Sequence, residues 1–365
     1  MTVKITKPAL NLREELADLR KPSGIAGEAL LRADSVQEQR DLINAGRKNL
    51  IINGGFDVWQ RGTSFSASGG SPIYTADRFT ANMSGGSTVT SRQVFTAGQT
   101  DVPDNPKYFL RYNCTVGNNN CGIHQRLEDI SKLSGQTVTL SFWAKGTNPS
   151  SGSFVSSWIQ SFGSGGSSSY EWEAANGIVL TSDWQKFTIT TTVPSVSGKT
   201  IGANNFLWVE VLRQAGTDTG TAAWTADIAN VQLELGSVAT DFEHRSYGEE
   251  LALCQRYYQR WSGVSGDQSP IAVVCCRSGG SHSTGPLLFK GTMRGTPTMS
   301  YSQASDFQVL LGSGTIYNNL TSIGFADKGT DSCLIMPYIP STTNNIPGTL
   351  RAVSSSAFVA ADAEL

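Results

Sequence analysis

Apolar and polar positions alternate with period two through most of the middle of the chain. Val138, Leu140, Phe142 and Ala144 take every second place in TVTLSFWAK, and Phe187, Ile189 and Val193 fall in phase in WQKFTITTTV. Leu207, Val209 and Val211 alternate in FLWVEVLR, as Val231, Leu233 and Leu235 do in VQLEL. Successive side chains of a strand point to opposite faces, so each run predicts a strand with one face packed and one face outward. Clusters of Gly, Ser, Asn and Pro, including SFGSGGSSS at residues 161–169, separate the runs as turns. Residues 49–245 therefore read as one antiparallel β-sandwich.

The pattern changes on either side. Leu251, Cys254, Tyr258 and Trp261 recur at three- to four-residue spacing, which predicts a helix over residues 248–262 as a hinge into a smaller C-terminal β domain ending at residue 365. Its strands are expected in AVVCC, GPLLFKGTMRGTPTMSY, DFQVLLG and SCLIMPYIP, with Pro297, Pro337 and Pro340 at strand ends or edges. Residues 1–48 predict two short helices instead, each opened by a capping pair, Asn11 with Glu14 and Ser35 with Glu38. Helices of about three turns are marginal alone, so this segment must dock on a partner or on the rest of the chain. The fold class is mainly β, with short N-terminal helices, a sandwich and a second β domain.

Composition narrows the function. The chain has 28 basic and 30 acidic residues, a net charge of −2, which gives no electrostatic reason to expect nucleic acid or an anionic membrane as partner. Charged residues make up 16%, against roughly 25% in ordinary soluble domains, and Gly is abundant at 38 residues. Such an uncharged, hydroxyl-rich surface suits an extracellular β protein or a virion appendage. No apolar run of about 18 residues and no signal-length apolar core in residues 1–21 is present, so neither membrane insertion nor signal-directed export is expected. The six cysteines are expected mostly as buried thiols, with a bond between Cys114 and Cys121 across the TVGNNN turn as the alternative. Without CxxC pairs a zinc site is not expected.

Two stretches, NLIINGGFDVWQRG at residues 49–62 and VQLELGSVATDFEHRSYGEELALCQRYYQRW at residues 231–261, resemble tailed-bacteriophage virion fibre proteins of tail or head. Within residues 49–245, an N-G-x-F followed by an acid, then LSFWAKG, WQKFT and AWTADIANVQLELG resemble jelly-roll carbohydrate-binding modules. The resemblance implies a jelly roll, a homotrimer, attachment to other virion proteins through residues 1–48, adhesion to host surface glycan, and a location on the virion after assembly in the host cytoplasm and release by lysis. It also implies a structural calcium ion at Asp57 and Asp227 and no other cofactor, although these modules usually carry Glu at those places.

The candidate chemistry is that of binding. Trp143 and Trp208 are opposite in phase to their apolar neighbours and are expected to face outward, where an indole can stack on a sugar ring. Trp158 and Trp172 flank the Gly/Ser-rich loop and are candidates for the same surface. The alternative is that these aromatics are buried against neighbours in the trimer. Arg61 and Arg78, near Asp77 and Tyr74, fit either a buried ion pair with cation–π support or ligand contact. Glu171 and Glu173 would lie on one strand face about 7 Å apart, a spacing that overlaps an inverting glycosidase pair and is also common for two solvated acids. SVSGKT at residues 195–200 lacks the leading Gly of a phosphate-binding loop, and no nucleophile motif or HExxH is present. The expected function is a non-enzymatic virion fibre adhering to glycan. The alternatives are a purely structural decoration fibre and a polysaccharide-cleaving tailspike.

Overall fold

A computed structural model describes residues 48–116, 120–215, 223–263, 268–276, 282–339 and 346–365. The helices expected in residues 1–48 lie outside this set. Residues Ile51–Leu365 cluster as one compact unit, mainly β. No helix among the described residues is long and apolar enough to cross a membrane.

Two six-stranded antiparallel sheets form the sandwich. The first runs in the order β1 (Ser64–Ser68), β4 (Ser87–Val94), β5 (Tyr108–Val116), β12 (Trp224–Leu235), β7 (Thr137–Gly146) and β10 (Gln185–Thr192). The second runs β2 (Ile73–Tyr74), β3 (Phe79–Ser84), β6 (Asn120–Glu128), β11 (Phe206–Gln214), β8 (Phe154–Ser161) and β9 (Tyr170–Ile178). Strands adjacent in space are mostly distant in sequence, the ordering of a jelly roll. Val138, Leu140, Phe142 and Ala144 are all buried, as the alternation predicts, and so are Leu207, Val209 and Val211. Tyr112 stacks on Trp224 at 5.1 Å, and Phe154 of the opposite sheet meets Trp224 edge-on at 4.9 Å, which ties the layers together.

The C-terminal part holds a three-stranded sheet, β13 (Tyr258–Ser262), β22 (Phe358–Asp362) and β16 (Thr298–Tyr301). A seven-stranded sheet follows the order β18 (Ile316–Tyr317), β17 (Phe307–Leu311), β21 (Pro347–Ala352), β14 (Ser269–Cys276), β15 (Ser283–Leu288), β20 (Ser332–Tyr338) and β19 (Ser322–Ala326). Phe307, Val309, Ile335, Leu350 and Val359 form its core.

The helix predicted over residues 248–262 is shorter. α1 spans Tyr247–Gln255, opened by a complete capping box between Ser246 and Glu249. Tyr258 and Trp261 belong instead to β13, paired with Asp362 and Val359. Pairing with a strand about a hundred residues away overrides the local helical spacing. Leu251 is not among the helix's buried residues; Glu250 and Cys254 are, and Glu250 accepts from the Asn53 amide and pairs with Arg245 at 3.3 Å. Cys114 and Cys121 are buried on β5 and β6, in different sheets, and both sulfurs lie against the Val116 carbonyl.

Candidate functional site

The four candidate tryptophans do not share one surface. Trp158 is 0% exposed, lies inside the sandwich opposite Val209, and donates to the Ser156 hydroxyl at 2.9 Å. A ligand meets none of it without opening the core. Trp172, paired with Trp158 across β8 and β9, donates to the Thr191 hydroxyl of β10 at 3.2 Å and so bridges the two sheets at their edge. Trp208 does point away from Leu207 and Val209, but its ring is stacked on His124 at 3.4 Å with Arg126 close by. Burial holds that imidazole well below its ordinary pKa, hence neutral.

Trp143 is different. It is half-buried on the outer face of the first sheet, beside an aromatic group of Phe95, Phe109 and Trp184. Ser141, two residues earlier, shares that face, and Lys186 on β10 is the cross-strand neighbour of Trp143. On β12 the inward positions run Ala226, Ile228, then Val231 and Leu233, a spacing of three where two is regular. The extra residue forms a β-bulge between Ala229 and Gln232, with Asn230 in the left-handed region at φ 49°. Asn230 is 4% exposed, and its Oδ1 has no hydrogen-bond partner. The segment after β12 folds back over this face: Gln232 donates to the Asp241 carbonyl at 3.1 Å and accepts from the Glu243 amide at 2.8 Å, while Glu234 accepts from the Thr240 amide at 3.0 Å. These parts enclose a pocket of about 40 Å³, walled by Trp143, Phe242 and Pro103 and furnished with Ser141, Asn230, Asp104, Asp241 and Lys186. Sequence reading named only Trp143 of this set. The slip in alternation between Ile228 and Val231 was the available signal for Asn230.

Arg61 and Arg78 are engaged within the chain. Arg78 pairs with Glu364, donates to the Arg126 carbonyl at 2.6 Å and lies over the Tyr257 ring at 3.4 Å. Arg61 reaches Asp362 at 3.2 Å, Glu364 at 3.3 Å and Asp77 at 4.0 Å, over the ring of Tyr258 at 3.6 Å. Arg61 and Arg78 thus tie Asp362 and Glu364 to the sandwich, while Arg294 of the C-terminal part donates to the Ala363 carbonyl at 2.9 Å. Burial raises the Asp77 carboxyl against the pull of Arg61. Asp227 gives both carboxylate oxygens to Arg111, at 2.7 and 2.8 Å, an arrangement that does not fit a calcium ligand. Asp57 is half-buried and its carboxyl is pushed up by burial, against the nearby Lys107 and His244. Among the described residues no three His, Cys, Asp or Glu side chains form a metal-holding group.

The acidic pair on β9 is dispersed in its partners. Glu171 accepts from the Ser157 hydroxyl at 2.7 Å and lies 3.7 Å from Arg213, whereas Glu173 accepts from Asn176 at 3.3 Å. Next to them, burial raises the Glu210 carboxyl to about 7 despite Arg213 at 2.8 Å. At 2% exposure its proton is not presented to a substrate.

No protein-family model matches the chain, and no curated protein matches it. Among solved structures it is similar to the CBM22-1 and GH10 modules of Clostridium thermocellum endo-1,4-β-D-xylanase 10B complexed with xylohexaose, at 12% identity and TM-score 0.31, over 52% of this chain and 29% of that one. Similarity to the enzymatically active domain of bacteriophage CBA120 tailspike protein 4 is 14% identity and TM-score 0.28, over 51% and 21%. A cyclase from Fischerella sp. TAU, in complex with 4-(1H-indol-3-yl)butan-2-one, gives 11% identity and TM-score 0.34, over 53% and 100%. The chain thus spans less than a third of the xylanase and tailspike chains. Binding modules and enzymes share this distant likeness, so function has to be read from the chain's own residues.

Proposed function

We propose that this chain is a non-enzymatic fibre protein of a bacteriophage virion, joined to the particle through residues 1–48, assembled as a homotrimer, and adhering to glycan on the host surface. The observation that carries the glycan reading is the Trp143 pocket: an indole and a phenyl ring beside hydrogen-bonding side chains, on the outer face of a sheet. Saccharides offer the matching chemistry, an apolar ring face bordered by hydroxyls. The pocket is far below the roughly 300–1,000 Å³ of a ligand-enclosing site, so a glycan would lie mostly along the surface and bind weakly. Three linked copies would raise avidity without any new contact. The sequence resemblance supports the virion part.

Trp143→Ala is expected to lower binding to whole host cells at least about tenfold, and periodate treatment of the cells is expected to abolish binding of the unaltered protein. Undiminished binding by a folded Trp143→Ala chain would remove the pocket from this reading. A chain lacking residues 1–48 is expected to keep cell binding and to be absent from purified particles on immunogold electron microscopy. Label on particles without those residues would retire the attachment role. A purely structural decoration fibre is the second reading, favoured by the engagement of Trp158, Trp172 and Trp208 within the chain. It expects label on the particle and no cell binding.

A further inference from the structure

We propose that Asn176 is a site of spontaneous deamidation, at which the protein gains a carboxylate without any enzyme. The chain contains Asn-Gly twice, at Asn53–Gly54 and at Asn176–Gly177. At the second, the Gly177 backbone nitrogen loses its proton and attacks Asn176 Cγ, closing an imide ring while the side-chain nitrogen departs as ammonia. Water then opens the ring. Cleavage of the bond to Cγ leaves aspartate; cleavage of the bond to the Asn176 backbone carbonyl carbon leaves isoaspartate, with the chain running through the former side chain. Glycine favours the closure because no side chain crowds the attacking nitrogen.

The two pairs sit in opposite surroundings. Asn53 is 0% exposed; its Nδ2 donates to the Val58 carbonyl at 2.8 Å and to the Asp77 carbonyl at 3.0 Å, and its Oδ1 accepts from the Val58 amide at 2.9 Å. With its side-chain amide so engaged, ring closure there waits on local opening. Asn176 and Gly177 are both exposed, near the end of β9, the outermost strand of its sheet. Phe154 pairs with Ile178 and Ser156 with Ala175, which leaves Asn176 and Gly177 together opposite Val155 alone, a bulge in the ladder. A neighbouring strand lies on one side only, and even that pairing is interrupted here. The Asn176 amide donates to Glu173 at 3.3 Å, longer than an ordinary N–H···O bond. Gly177 has a φ of 66°, and a Cβ at that position would meet nothing within 4 Å, so no neighbouring atom crowds the peptide from that side. The new carboxylate would stand beside that of Glu173 at the edge of the sheet, where added charge hinders pairing with a further strand.

Peptide mapping by mass spectrometry of the full chain, sampled through a long incubation at neutral pH, tests this. Conversion at Asn176 is expected to run at least about tenfold faster than at Asn53, where a local opening must come first. Isoaspartate is expected in the product, the mark of a route through the imide ring. A parallel incubation in urea removes the folded surroundings. There Asn53 is expected to rise to the rate of Asn176, while the Asn176 rate stays within about tenfold of its value in the folded chain. Conversion makes the net charge of −2 one unit more negative, so an acidic band on isoelectric focusing should grow with the same time course. Equal rates at the two asparagines in the folded chain would overturn the proposal. So would an Asn176 that reacts only in urea, because the bulge would then be held as firmly as a regular ladder.

Discussion

Arg78→Met is expected to lower the unfolding free energy by about 3–5 kcal/mol, the largest effect of any single polar substitution in the fold. The Arg78 side chain is 1% exposed and that of Glu364 is also buried. Removing the guanidinium leaves that carboxylate inside the protein with only Arg61, at 3.3 Å, to compensate it. The Arg126 carbonyl loses its donor and the Tyr257 ring loses its cation in the same step. Burial lowers the Arg78 pKa, a sign that solvation has been given up there and is recovered only through these partners. Urea unfolding followed by fluorescence and by circular dichroism measures the loss, provided the two probes coincide. Glu364→Gln in the same chain should restore much of it, because an uncharged amide is far cheaper to bury than an unpaired carboxylate. A single-substitution midpoint close to that of the unaltered protein would mean that water reaches Glu364.

Part of this architecture was readable in the sequence, for a physical reason. On β7, β10 and β11 apolar core positions alternate with mostly polar ones on the other face, so the pattern is strong even where that face is covered, as at Thr139, Ser141 and Glu210. β8 is buried on both faces: Ser156 and Ser157 are as inaccessible as Trp158, since the Ser156 hydroxyl donates to the Glu210 carbonyl and that of Ser157 to Glu171. The Gly/Ser-rich loop at residues 161–169 therefore suggested a surface for Trp158, which lies inside. The end of α1 was missed because the strand that captures Tyr258–Ser262 comes a hundred residues later. The carboxylates of Asp362 and Glu364 that hold Arg61 and Arg78 lie about three hundred residues downstream, beyond any local pattern. Asn230 was legible in principle, because a break in period within a strand marks a bulge, and bulges gather at functional sites.

Glu210→Gln is expected to change how stability depends on pH. The carboxyl is at about 7 in the folded protein, raised by burial, against an ordinary value of 4.5. Between those pH values the folded state keeps a proton that the unfolded state has released, so stability falls as pH rises through the window and is level again above it. At about 1.4 kcal/mol per pH unit, the fall amounts to about 3 kcal/mol. Glutamine cannot ionise, so the variant should gain on the unaltered protein by about that amount between pH 4 and pH 8. Asp77 and Glu250, also raised by burial, are present in both chains and cancel in the comparison. Parallel curves from the two proteins would mean that Arg213, 2.8 Å away, keeps Glu210 ionised throughout. If the curves diverge as expected, Arg213 faces a neutral Glu210 at the low end of the window and its carboxylate at the high end. The lost stability is then the cost of burying the Glu210 charge, less what Arg213 returns.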